Sequence, residues 1–209
     1  MTKATAPVVF IVDDDPSVRK SLARLIRSAG YRVEAFGSAE EFLSREPSIG
    51  PCCIVLDVRM PGVSGLDLQK TLASALHGIP IVFITGHGDV SMSVSAMKAG
   101  ALDFLTKPFE GKDLLSAIQR AVAKDTRDLG VEARTGEVQK RVNQLTQRQR
   151  QVFALVVTGM LNKQIASELR IAEKTVKVHR AQVMEKMRAG SVAELVRLAD
   201  EVGVIVTHA

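Results

Sequence analysis

Tryptophan is absent from this 209-residue chain, and aromatic residues of all kinds make up only 4% of it. Its cores must therefore be aliphatic, and the 46% hydrophobic content supplies enough side chains to build them. Long apolar runs are missing too: none approaches the roughly 20 residues that a membrane-crossing helix needs. Residues 1–7, MTKATAP, lack the basic segment and apolar stretch of a secretory leader, so a cytoplasmic location is expected. Cysteine is confined to two neighbours, Cys52 and Cys53. Adjacent strand positions point to opposite faces, so these two are poorly placed to bridge each other and are expected to be small buried strand residues. No Gly-rich phosphate cradle follows the first apolar run, which argues against nucleotide binding.

Charge of one sign is scarce only locally. The net charge is +5, but residues 1–124 hold 14 Lys/Arg against 13 Asp/Glu, while residues 141–209 hold 11 against 6. The positive excess lies in the last third and points to a polyanionic partner there. The length accommodates two domains.

From Val8 to about Ala123, short apolar runs alternate with helical periodicity. The runs are Val8–Val12, Val33–Phe36, Cys52–Leu56, Ile79–Ile84 and Asp103–Leu105. Uninterrupted apolar runs suit strands covered on both faces. Between them, Val18, Leu22, Leu25, Ile26 and Ala29 share a helical face ended by Gly30. Ser38 and Glu41 have capping-box spacing, and further helices are expected near Leu66–Leu76, Val90–Ala99 and Lys112–Ala123. Five strand–helix units predict an α/β doubly wound parallel sheet, with ligands bound beyond the carboxyl ends of its strands. Residues 125–144 carry two glycines and no sustained apolar stripe and read as a linker, with helix and tether both open. Beyond Leu145 every pattern is helical: Gln147–Thr158, Asn162–Leu169, Glu173–Met187 and Ser191–Glu201.

Chemistry gathers at the predicted strand ends. Asp13 and Asp14 end the first strand, Asp57 the third and Thr85 the fourth, while Lys107 follows the fifth. Singly, each has an ordinary explanation as a turn residue, cap or solvated charge. Together they are expected to converge on one sheet edge. Three clustered carboxylates repel one another unless a cation intervenes, and hard oxygen ligands favour Mg²⁺. Such a pocket suits phosphoryl transfer, where positioning and charge neutralisation dominate.

The pieces FIVDDDP, LDVRMPG with Gly65, FITGHG and FLTKPF closely resemble the receiver domains of two-component response regulators, over about Val8–Ala123. The resemblance implies a flavodoxin-like fold in which Asp57 accepts a phosphoryl group from a sensor histidine kinase. It implies Mg²⁺ held by Asp14, Asp57 and the backbone carbonyl of Arg59, with Asp13 acting through water, and Lys107 on the phosphoryl oxygens. A cis Lys107–Pro108 bond and a switch in which Thr85 and Phe104 move are implied as well. Asp15 falls outside the metal set and is expected to cap the helix that starts at Pro16.

Residues 159–188, GMLNKQIASELRIAEKTVKVHRAQVMEKMR, read as a short helix, a tight turn and a longer helix. On the longer one Val176, Val183 and Met187 face inward. Lys174, Lys177, Val178, Ala181, Gln182 and Glu185 lie opposite, a mixture suited to the major groove as well as to a solvated basic face. Asn162 and Lys163, opening the shorter helix, can clamp a phosphate. The matches LTQRQRQV, G-x-x-NKQIA-x-x-L-x-I and TVKVHR resemble the LuxR-type helix-turn-helix of NarL/FixJ regulators over about Leu145–Val206. The resemblance implies a four-helix domain with Glu173–Met187 as recognition helix, Thr175 and Arg180 among its DNA contacts, and Ser191–Glu201 as dimerisation element. Four positions depart from the pattern. Gln149 and Gln151 replace glutamates, Ala172 replaces a capping hydroxyl, and Ala181 is short where relatives reach a base.

The expected organisation is a receiver over 6–124, a linker over 125–144 and a helix-turn-helix domain over 145–209. The whole is a phosphorylation-controlled transcription factor whose partners are a sensor kinase, promoter DNA, a second copy of itself and RNA polymerase. Two other classes compete: a switch whose C-terminal helices bind protein, which salt-dependent DNA binding speaks against, and a small phosphatase-like enzyme, which multiple-turnover assays would reveal. Arg59 and His87 stand where fast-hydrolysing receivers place water-orienting amide or acidic groups, so slow autodephosphorylation is expected. Replacing Arg59 with Asn and His87 with Glu should speed loss of phosphate, and an unchanged decay rate would contradict this.

Overall fold

The computed structural model describes residues 6–73, 78–86 and 90–204. The expected end of one helix near Leu76, and His87, lie outside the described residues. The chain divides into two compact units, Met1–Leu129 and Gly130–Ala209.

The first unit is built on five parallel strands: β1 (Val8–Val12), β2 (Arg32–Phe36), β3 (Cys52–Asp57), β4 (Ile81–Thr85) and β5 (Asp103–Thr106). Their order is β2-β1-β3-β4-β5, the doubly wound sheet expected from the alternating pattern. Side chains alternate between two cores, as the two-residue strand period requires. Val8, Phe10, Cys52, Ile54 and Phe83 enter one layer, and Val9, Ile11, Cys53, Val55 and Val82 enter the other. The two cysteines thus face opposite layers, both buried and unbridged. Burial and the Asp125 charge push the Cys52 thiol up to about 12, which leaves it inert.

Five helices flank the sheet: α1 (Pro16–Ser28), α2 (Ala39–Leu43), α3 (Gly65–Ala73), α4 (Val90–Lys98) and α5 (Gly111–Asn143). Asp15 caps α1, accepting from Ser17 N–H at 2.7 Å, as expected. Ser38 caps α2 through Glu41 N–H, but Glu41 answers one residue earlier, on Gly37 N–H at 2.6 Å. Gly30 takes φ +89°, the left-handed turn that stops α1. β2 is an edge strand with no fully buried residue, unlike the fully buried β1, β3 and β4.

Helix α5 runs past the end expected near Ala123 and takes the helical of the two conformations open for 125–144. The expected helix near Lys112–Ala123 continues without a break to Asn143, so the segment read as a linker is helical. Gly130 and Gly136 each cost a helix interior about 1 kcal/mol relative to alanine. Buried contacts at both ends outweigh that cost. Asp125 is fully buried and accepts from Cys52 N–H at 2.8 Å, while Val138 is buried in the second unit's core.

The second unit packs the tail of α5 with α6 (Gln147–Val157), α7 (Asn162–Glu168), α8 (Glu173–Met187) and α9 (Val192–Glu201). Its core is aliphatic with one phenylalanine, Phe153. Arg170, at φ 53°, makes the tight turn between α7 and α8. Ala172 starts α8 without a side-chain cap, as its missing hydroxyl dictates. No helix among the described residues is long and apolar enough to cross a membrane.

Candidate functional site

In the first unit the parallel sheet brings the carboxyl ends of β1, β3, β4 and β5 to one edge. Asp13 follows β1 and Asp57 ends β3, and these strands are direct neighbours. Asp13 is 1% exposed and Asp57 6%. Lys107, just after β5, reaches across to both: its Nζ lies 2.9 Å from Asp13 Oδ2 and 3.0 Å from Asp57 Oδ1. The Lys107–Pro108 bond is cis, as the resemblance implied.

The remaining acceptor atoms are occupied by backbone. Asp57 Oδ2 takes the Arg59 N–H at 2.9 Å, and Asp13 Oδ1 takes the Asp15 N–H at 2.8 Å. Arg19 holds the Asp13 carbonyl at 2.6 Å and so braces the acidic loop from α1. Gly65 is obligatory on steric grounds, because a Cβ there would lie 2.3 Å from the Asp57 carbonyl oxygen. Thr85 is fully buried at the end of β4. Phe104, half-buried on β5, packs its ring 6.2 Å from that of Phe83.

Of the three carboxylates expected at this edge, Lys107 joins Asp13 and Asp57. Asp14, beside Asp13, is exposed. Among the described residues no group of three or more His, Cys, Asp or Glu side chains is gathered to hold a metal ion. Lys107 relieves the repulsion that the sequence reading assigned to a cation. Two carboxylates against one ammonium still leave a negative charge among hard oxygens, a donor set that fits a small divalent cation.

Burial holds the Asp57 carboxyl above the ordinary carboxylate range, against the pull of Lys107 and with the Asp13 charge adding to the rise. Burial alone would lower Lys107, but its hydrogen bonds and charge pairing with Asp13 and Asp57 raise it.

In the second unit α8 carries the expected outward face. Lys174, Thr175, Lys177, Val178, Ala181 and Gln182 are exposed, and Val176, Val183 and Met187 are buried. Lys163 is exposed at the start of α7. Arg180 donates to Asn162 Oδ1 at 3.0 Å, joining two of the expected contacts into one surface. The two glutamines that replace glutamates still find partners. Gln149 Oε1 accepts from Lys186 Nζ at 2.8 Å and Gln151 Oε1 from Arg148 at 2.9 Å, so neutral amides take hydrogen bonds from the cations that a glutamate would pair with.

Sequence reasoning missed the bracing role of Arg19 and the anchoring role of Asp125. For Asp125 a trace existed: it continues the stripe Leu114, Ile118, Ala121, which the structure buries.

Comparison with known proteins covers both units. Residues 9–119 match the response regulator receiver domain, and residues 143–199 match the luxR family of bacterial regulatory proteins. Nodulation protein W of Bradyrhizobium diazoefficiens is 47% identical over 98% of this chain and 90% of its own length. The transcriptional regulatory protein FixJ of Azorhizobium caulinodans is 45% identical over 94% of this chain and 93% of its own. The solved response regulator StyR superposes with a TM-score of 0.84 at 48% identity, covering 94% of this chain and all of that one.

A carboxyl raised in the folded chain binds its proton more tightly than in the unfolded chain. Stability therefore falls as pH rises through the Asp57 range. Asp57→Asn should raise the neutral-pH melting temperature of the first unit. The gain should fade as pH drops below the ordinary carboxylate range. Fluorescence of Tyr31, the single tyrosine, half-buried in this unit, reports the transition. An equal gain at every pH would contradict it.

Proposed function

The chain belongs to the two-component response regulators of NarL/FixJ type, joining a receiver to a LuxR-type DNA-binding domain, and from that premise we propose that phosphorylation of Asp57 controls its binding to promoter DNA. The observation that carries the reading is the Lys107 ammonium drawn onto Asp13 and Asp57 at the strand ends.

The donor is a phosphohistidine of a sensor kinase. An Asp57 carboxylate oxygen forms the new bond to phosphorus as the bond to the histidine nitrogen breaks, and the imidazole leaves with the electron pair and takes up a proton. Asp57 suits this role because its carboxylate is held by the Arg59 N–H and Lys107 and is desolvated by burial. Lys107 already lies within reach of an Asp57 oxygen and can follow the charge onto the phosphoryl oxygens. Asp14, Asp57 and the Arg59 carbonyl, with Asp13 nearby, would hold Mg²⁺, which would supply further neutralisation of phosphoryl charge. The chain turns over no separate substrate; its chemistry is self-phosphorylation and slow autodephosphorylation.

Thr85 and Phe104 relay the new charge. Thr85 moves toward the phosphoryl group, and Phe104, which has no hydroxyl to offer a partner, follows by packing against Phe83. The shift favours a homodimer, so that two copies of α8 meet paired half-sites. Within each copy α8 enters the major groove, with Lys174, Thr175, Lys177, Val178, Arg180, Ala181 and Gln182 on its contact face, while Asn162 and Lys163 bind phosphate. The functional partition is 6–124, 125–144 and 145–209, and the protein works in the cytoplasm beside RNA polymerase.

The test is oligomeric state and DNA binding before and after acetyl phosphate with Mg²⁺. The parent should dimerise and gain salt-sensitive DNA affinity, and Asp57→Asn should do neither. Equal binding by both proteins in both conditions would overturn the proposal.

A further inference from the structure

The amide of Gln149, buried at the start of α6, has its orientation set by its neighbours. Two donors converge on one of its atoms: Lys186 Nζ at 2.8 Å and the Thr146 backbone N–H at 3.0 Å. An ammonium and a backbone N–H can only donate, so that atom is the oxygen. The remaining atom is the NH₂, and it donates to Gln182 at 3.1 Å. Gln182 must therefore turn its own oxygen inward.

A free glutamine can present either end of its amide to a base, and its pairing with adenine uses both at once. Here the inward hydrogen bond occupies the Gln182 oxygen and leaves its NH₂ as the exposed end on α8. We propose that Gln149 is a specificity-determining residue of the DNA interface, because it orients Gln182 to offer donors to the major groove. The inference rests on the reading of α8 as the groove-entering helix. Outward donors aimed at the 4- or 6-position select the keto bases: guanine offers O6 and thymine O4, whereas cytosine and adenine place a competing amino group there, and the N7 acceptor shared by both purines does not separate guanine from adenine.

The same geometry says what a carboxylate would do at position 149. Glutamate keeps the two acceptor contacts, to Lys186 and to Thr146, but it has no donor for Gln182. Its second oxygen would instead draw the Gln182 NH₂ inward and turn the carbonyl out. The exposed end then accepts, and the favoured bases become adenine and cytosine. One substitution that touches no DNA is thus expected to invert a base preference.

Full-length protein treated with acetyl phosphate and Mg²⁺ is offered a duplex library with a randomised core, and the bound sequences are read. Four proteins are compared: the parent, Gln182→Ala, Gln149→Glu and the double variant. Gln149→Glu is close to isosteric and keeps the cap on α6; an unfolding midpoint equal to the parent's verifies its fold. The parent should favour a keto base at one position of each half-site by about fivefold or more. Gln149→Glu should favour an amino base there by a similar factor, and both proteins lacking Gln182 should show no preference at that position. A keto preference retained by Gln149→Glu, or an amino preference in the parent, overturns the inference while leaving α8 as the reading helix. No position relaxed by Gln182→Ala also overturns it. A parent that enriches no sequence overturns the reading of α8 as well.

Discussion

Asp13 and Asp57 sit almost out of solvent on neighbouring strand ends, and a single ammonium spans them. Two like charges this close and this buried are tolerated only where an opposite charge lies within hydrogen-bond reach of both. Much of the first unit serves that geometry. The parallel sheet aligns the ends of β1 and β3, β5 delivers Lys107, the Gly65 backbone packs where no Cβ fits, and Arg19 braces the loop behind Asp13. The compensation is incomplete, because burial still holds Asp57 above the ordinary carboxylate range.

The second unit follows a related logic with neutral groups. Gln149 accepts where a glutamate would and also donates where a glutamate cannot, so one buried amide connects the start of α6 to α8. Arg180 and Asn162 make a second connection, from α8 to the start of α7. These bonds hold Gln182 and Arg180 in set orientations on α8.

Most of the fold was legible in the sequence because its signals are local. Apolar runs marked the fully buried β1, β3 and β4, and Asp15, Gly30 and Ser38 marked helix ends. The strand ends named Asp13, Asp57, Thr85 and Lys107 before any contact was visible. What was not legible depended on contacts distant in sequence. Helix α5 persists through Gly130 and Gly136 because Asp125 and Val138 are buried, and neither burial shows in the composition of 125–144. Asp13 is buried and Asp14 beside it exposed, since consecutive residues leaving a strand take different directions, and the run Asp13, Asp14, Asp15 does not announce that difference. Two partners of Gln149, Gln182 and Lys186, lie 33 and 37 residues away, so no local pattern could announce them.

The most direct measurement of the Lys107 constraint is the urea-unfolding free energy of the first unit at neutral pH, followed by Tyr31 fluorescence. It compares the parent, Lys107→Met, and Lys107→Met combined with Asp57→Asn. Removing the ammonium alone strands two buried carboxylates and should cost about 3 kcal/mol. Neutralising Asp57 in the same chain should recover most of that loss. A Lys107→Met variant as stable as the parent, or a double variant no more stable than the single one, would contradict the account.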